Sequence, residues 1–203
     1  MLLPDYFALV PPITLHDPLA ELLGAPADGL IEYRFADAVK LAGHCCPTVA
    51  GAWLMTTGAL RALYGDAMPV RGQVLVALGE AEDSGVAGVI AGVATLLTGA
   101  AGAGGFKGLG GRQARRQLLH FGVAGVAGLR FTRRDTMATV DAIFRPNSES
   151  ADPRLGELLP AVVTGTANAA ETALFRELWQ DRVRRLLLAD GPAVVDIRPV
   201  QAG

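Results

Sequence analysis

Leu41-Ala42-Gly43-His44-Cys45-Cys46-Pro47-Thr48-Val49-Ala50-Gly51 is the stretch from which the rest of the chain is read. It holds both cysteines and one of the three histidines in the sequence. Proline suits the first position of a helix, where its missing N–H would have had no partner. The run from Pro47 through Leu63 therefore reads as a helix, with Cys46 at or beside its N-cap. Free backbone N–H groups and the helix dipole favour a negative charge there. His44 and Cys46 are two positions apart and would not share a helical face. On an extended loop entering a helix they can turn toward one point, and imidazole with thiolate is a donor pair for zinc or iron. The plain alternative is a half-buried cysteine and a hydrogen-bonded histidine with no further role.

Working outward, Ile31, Tyr33 and Phe35 alternate as in a short strand. Asp17-Pro18 with Gly24 brackets a short helix, and His16 stands just before its cap. Residues 1–16 read as an N-terminal arm or edge segment. The 47–63 helix begins among Ala50, Gly51 and Ala52, small residues that admit a ligand or a packed neighbour. Gln73–Leu78 reads as a strand followed by Glu80, Glu82 and Asp83, which offer oxygen ligands, a general base or a solvated turn. Gly85–Thr98 reads as an uncharged helix running into a glycine-rich segment. There Gly105 and Gly108 flank Lys107, and exposed backbone N–H groups can cradle an anion. The spacing is neither that of a P-loop nor of a dinucleotide fold.

Arg112–His120 reads as a basic helix, with His120 as a packing residue. Val126–Thr132 and Thr136–Phe144 read as a hairpin turning at Arg133-Arg134-Asp135. Leu155–Thr164 has helical character, and Thr166–Ala189 is the clearest amphipathic helix. Gly191-Pro192 stops it before a last strand at 193–198. Hairpin strands among scattered helices predict the α+β class, with a mixed β-sheet carrying packed helices. The 203 residues suit a single domain.

The motif Gly43-His44-x-Cys46-Pro47 resembles the opening motif of the FmdE family, named after a small subunit of formylmethanofuran dehydrogenase. The resemblance continues at Ala94-Thr95-Leu96-Leu97-Thr98-Gly99 and Gly105-Phe106-Lys107-Gly108-Leu109, and spans about Asp17 to the C-terminus. It implies a sheet-and-helix topology similar to the catalytic domain of glyceraldehyde-phosphate dehydrogenase, with His44 and Cys46 as metal ligands. Family members usually add a cysteine after the Thr-Gly pair, where this chain has Ala100. No cysteine follows Cys46, so that ligand, and the zinc ribbon of some members, have no match here. The family's formylmethanofuran chemistry belongs to other subunits and carries over hardly at all.

Three functions are expected. The first is a metal-binding protein in which His44 and Cys46 hold zinc or iron. Its third ligand would be His16, Cys45 or one of the acids at 80–83, and a small anionic substrate would sit at Lys107, Gly105 and Gly108. The second is a metal-free thiol site, with Cys46 as nucleophile or sulfur carrier, His44 its base and Cys45 a resolving thiol. The third is a haem or other cofactor-binding module. The net charge of −2 gives no footprint for nucleic acid. Gly85–Gly105 is uncharged and long enough for a membrane span, but its Gly and Ala content and the flanking charges point to a buried helix. Adjacent cysteines and an N-terminus without a basic, apolar leader suit a cytoplasmic protein. The glycine-rich helices suggest a homodimer.

Overall fold

The computed structural model describes residues 3–189 and 194–201. In chain order the elements are β1 (Ile13–His16), α1 (Pro18–Leu23), β2 (Leu30–Tyr33), α2 (Phe35–Ala42), α3 (Pro47–Tyr64), β3 (Val74–Leu78) and α4 (Ala87–Thr98). They continue with β4 (Leu119–His120), β5 (Leu129–Arg133), β6 (Thr139–Phe144), α5 (Pro153–Thr164), α6 (Ala169–Leu188) and β7 (Val195–Val200). The main sheet has the order β4-β3-β5-β6-β7. The β3/β4 pair is parallel and the other pairs are antiparallel, so the sheet is mixed and the class is α+β.

The helix α3 is apolar almost all round, and a helix of that kind must be enclosed. It packs on β6 and β7 and also against α2, α4 and α6. Val49, Ala50, Ala52 and Trp53 in its first turns are buried. The sheet presents Val74, Val76, Leu78, Leu129, Phe131, Val140 and Ala142 to the core. Its alternate positions carry polar cross-strand pairs. Arg130 donates twice to Asp141 at 2.7 and 2.8 Å, and Thr132 meets Thr139 at 3.0 Å. The expected hairpin is therefore present, with a period-two division of faces.

Three local expectations change. The segment expected as an arm enters the core: Asp5–Leu9 forms a short 3-10 helix with Tyr6 and Phe7 buried. A chain of edge-to-face rings then runs from Tyr6 through Phe7 and Phe35 to Trp53. The strand near residue 31 does not join the main sheet but pairs antiparallel with β1. The basic helix expected over 112–120 is instead an irregular segment ending in β4. Gln113 and Gln117 have φ of +52° and +60°, which no helix accommodates, and Val76 N–H donates to Leu118 O at 2.7 Å, drawing the chain to the sheet edge. The Gly191-Pro192 stop and the start of the last strand at 193 lie outside the described residues.

Candidate functional site

The loop 43–46 joins α2 to α3. Gly43 ends α2 at φ +75°, and its N–H donates to Val39 O. This left-handed residue turns the chain out of one helix and into extended backbone at Cys46, the N-cap of α3, with φ −146° and ψ 167°. Pro47 starts the helix as expected. The loop is pinned from α6, where Trp179 Nε1 donates to Cys45 O at 3.0 Å.

Each side chain of the motif takes a different environment. His44 is exposed, and its Nδ1 lies 2.9 Å from Ala42 O. Cys46 is half-buried, and its sulfur makes no capping hydrogen bond. Cys45 is also half-buried but turns inward, with its Sγ 3.7 Å from the Tyr6 hydroxyl, which in turn donates to Gln180 Oε1 at 2.8 Å. Burial pushes the Cys45 thiol above its ordinary range, against the pull of the Tyr6 hydroxyl. Burial also raises the Tyr6 phenol, aided by Cys45. Cys45 thus meets Tyr6, Cys46 packs half-buried against the core without a capping bond, and His44 is exposed.

The other expected ligands lie elsewhere. His16 is on β1, where its Nε2 pairs with Glu21 at 2.8 Å. Glu80, Glu82 and Asp83 are exposed on the turn after β3. Among the described residues no three His, Cys, Asp or Glu side chains are gathered as a metal ion would need. Ala100 is fully enclosed in the core.

The glycine segment is less open than its composition suggests. Leu109 and Arg112 exchange two backbone hydrogen bonds of 2.9 Å around Gly110 and Gly111, both at positive φ. That is the tight hairpin turn that glycine permits. Gly105 N–H donates to Gly102 O, and a Cβ at Gly105 would stand 2.6 Å from Ala101 Cβ. Gly105 is therefore required by close packing. It also lines a cavity of about 790 Å³, with Gly88 and Gly92 of α4 on one wall and Glu82 and His120 on another. Lys107 is exposed and, like Gly108, stands outside this cavity. His120, expected as a packing residue, is exposed on β4, its Nε2 3.1 Å from Gln117 O. Gly88 and Gly92 also border an apolar hollow of about 300 Å³ with Leu41 and Ala42, the residues that lead into His44. The glycine stripe of α4 thus stands between the large cavity and the approach to the His44–Cys46 loop.

Sequence reasoning offered Glu82 as a ligand, base or turn residue and His120 as packing, but did not join them in one cavity, because the β3 and β4 residues that pair are 43 positions apart. It also missed the arginines described below, which come from separate segments. Among the described residues no helix is long and apolar enough to cross a membrane, and α4 spans 12 residues. The chain matches no family model and no curated protein.

Proposed function

We propose that this chain is a metal-binding protein of the FmdE type that handles a small molecule, with its centre at His44 and Cys46. The supporting observation is the 2.9 Å contact between His44 Nδ1 and Ala42 O. A carbonyl oxygen accepts and cannot donate, so Nδ1 carries a proton and, in the neutral ring that binds a metal, Nε2 keeps its lone pair. Histidine ligands are commonly anchored in this way through the nitrogen that does not bind the metal. Cys46 adds a sulfur at a helix start, free of any capping duty.

This pair fits zinc or iron as half of a site. The remaining positions fall to water, to the substrate or to a second copy of the chain, so the proposed homodimer and the proposed metal are linked. Leu41 is 54% exposed beside the hollow and can lie in such a contact. A bound metal would supply Lewis-acid polarisation of a substrate oxygen. The chain's own residues do the rest. Trp179 and Gly43 hold the loop, the wall of Gly88 and Gly92 admits a substrate close to backbone, and Glu82 and His120 offer proton-exchanging groups at the rim.

The second reading, a metal-free thiol site, is supported by the difference between the two cysteines: the Cys45 thiol lies against Tyr6 and burial pushes it up, whereas the Cys46 sulfur at the helix start makes no capping bond. Zinc and ferrous titrations of tag-free protein separate the two. The metal reading expects a stoichiometric equivalent per chain or per dimer, lost in both His44→Ala and Cys46→Ala. Full retention of metal in Cys46→Ala would overturn it.

A further inference from the structure

Four arginines from distant parts of the chain meet beyond the C-terminal end of α4. Arg71 precedes β3, Arg112 closes the glycine hairpin, Arg115 follows it, and Arg134 lies in the β5–β6 turn. They line a cavity of about 340 Å³. One carboxylate serves the group. Asp17 accepts from Arg71 Nη1 at 2.9 Å and from Arg115 Nη2 at 2.5 Å. Asp135, next to Arg134 in sequence, is turned to Arg133 at 2.5 Å. Among the described residues no acidic side chain lines the cavity, so four guanidinium groups stand against Asp17 alone, an excess of three positive charges.

The deepest of the four is incompletely satisfied. Arg115 is 6% exposed, and its Nη1 is buried with no hydrogen-bond partner. Buried N–H groups almost always have an acceptor, and those of a charged group most of all. Two glycines make room for this guanidinium, which packs where their side chains would be. A Cβ at Gly72 would fall 1.8 Å from Arg115 Nη1, and one at Gly99 would fall 3.0 Å from it. Gln113, held at φ +52°, contributes a second buried polar group without a partner, its carboxamide oxygen. Turned over, that carboxamide offers N–H donors instead. Arg71 also donates from Nε and Nη2 to Leu96 O, which fixes it as a wall. Arg112 and Arg134 are exposed at the mouth.

We propose that this cavity binds a phosphoryl dianion, either inorganic phosphate or the phosphate of a small phosphomonoester, with the Arg115 guanidinium at its inner end and Arg112 and Arg134 closing over it. Guanidinium forks match phosphate oxygens in geometry as well as charge. An excess of three charges answers a dianion better than a single carboxylate. The volume lies at the small end of ligand pockets, which suits a phosphate group with a short appendage rather than a nucleotide. Because the whole chain carries a net charge of −2, the attraction is local to this pocket. The site lies past the end of α4 away from the His44–Cys46 loop and does not depend on any reading of that loop.

The test is calorimetric titration of phosphate-free protein with inorganic phosphate, with ribose 5-phosphate, and with acetate as the monoanion. Saturable one-site binding of either phosphate, with acetate at least about tenfold weaker, is expected. The tighter of the two phosphates identifies the source. The double variant Arg112→Gln/Arg134→Gln should lose at least about tenfold in affinity while its melting temperature in phosphate-free buffer stays near that of the wild type. Absence of saturable binding at millimolar phosphate, equal affinity for acetate, or unchanged affinity in the double variant would each overturn the proposal.

Discussion

Replacing Asp17 by alanine removes one side chain that does two jobs. Its Oδ1 caps α1, accepting from Leu19 N at 2.9 Å and Ala20 N at 3.3 Å, and it also takes Arg115 Nη2. Its Oδ2 takes Arg71 Nη1. Asp17 is 3% exposed, so the ion pairs it makes are buried ones. Breaking a buried pair from one side leaves an uncompensated charge and costs about 3–5 kcal/mol, and losing an N-cap costs about 1 kcal/mol. Both effects share Oδ1 and are not additive, so a total near ~4 kcal/mol is expected. For a chain of this size that corresponds to a fall in melting temperature of roughly 8–16 °C. Urea unfolding followed by circular dichroism in phosphate-free buffer measures it. Asp17→Asn keeps the cap and should recover about 1 kcal/mol of the loss. Adding Arg115→Met to Asp17→Ala removes the orphaned charge and should restore part of the stability. A loss below about 1 kcal/mol for Asp17→Ala, or a double variant destabilised by the sum of its parts, would refute the reasoning.

Three further outcomes are expected. Burial would raise the Asp17 carboxyl, but hydrogen bonds and charge from Arg71 and Arg115 hold it below its ordinary value of 3.8. Its contribution is therefore complete above that pH and is lost as pH falls through the native value. The urea midpoint should drop in acid, and the drop should be shallower in Asp17→Asn. Gly51 lies under the Phe144 ring, and a Cβ there would come 2.6 Å from Phe144 Cγ, the fixed root of the ring. Gly51→Ala should destabilise by about 1 kcal/mol in the wild type yet stabilise by a similar amount in Phe144→Ala, where only helix propensity counts. Equal effects in both backgrounds would contradict this packing. With a disulfide-exchange reagent, Cys46 should be modified at least about tenfold faster than Cys45, whose sulfur packs against Tyr6. Mass spectrometry of partly labelled protein gives the ratio.

The start of α3 was legible because Pro47 and the apolar run after it are local signals. The amphipathic run of α6 and the β5–β6 hairpin were legible too, although α6 starts at Ala169, behind the Asn168 cap, and not at Thr166. The segment after Arg112 was not. Its apolar residues Leu118, Leu119 and Phe121 fit a helix as well as a sheet edge, and the backbone bonds to Ala101 and Val76 that decide the matter come from far along the chain. The burial of Tyr6 and Phe7 likewise depends on α2 and α3, which no local pattern reveals. At the site, His44 and Cys46 could be singled out because they adjoin one another and a helix start. The inward turn of Cys45 required knowing that Tyr6 and Trp179, residues 39 and 134 positions away, close on it. The arginine pocket gathers positions from 71 to 134 and leaves no mark on any single stretch.

The most direct measurement of the centre at the head of α3 is the zinc X-ray absorption fine structure of the metal-loaded protein. One sulfur at about 2.3 Å with nitrogen or oxygen at about 2.0–2.1 Å is expected, the sulfur shell vanishing in Cys46→Ala and the imidazole scattering in His44→Ala. A spectrum of nitrogen and oxygen alone, or one unchanged in Cys46→Ala, would contradict the assignment.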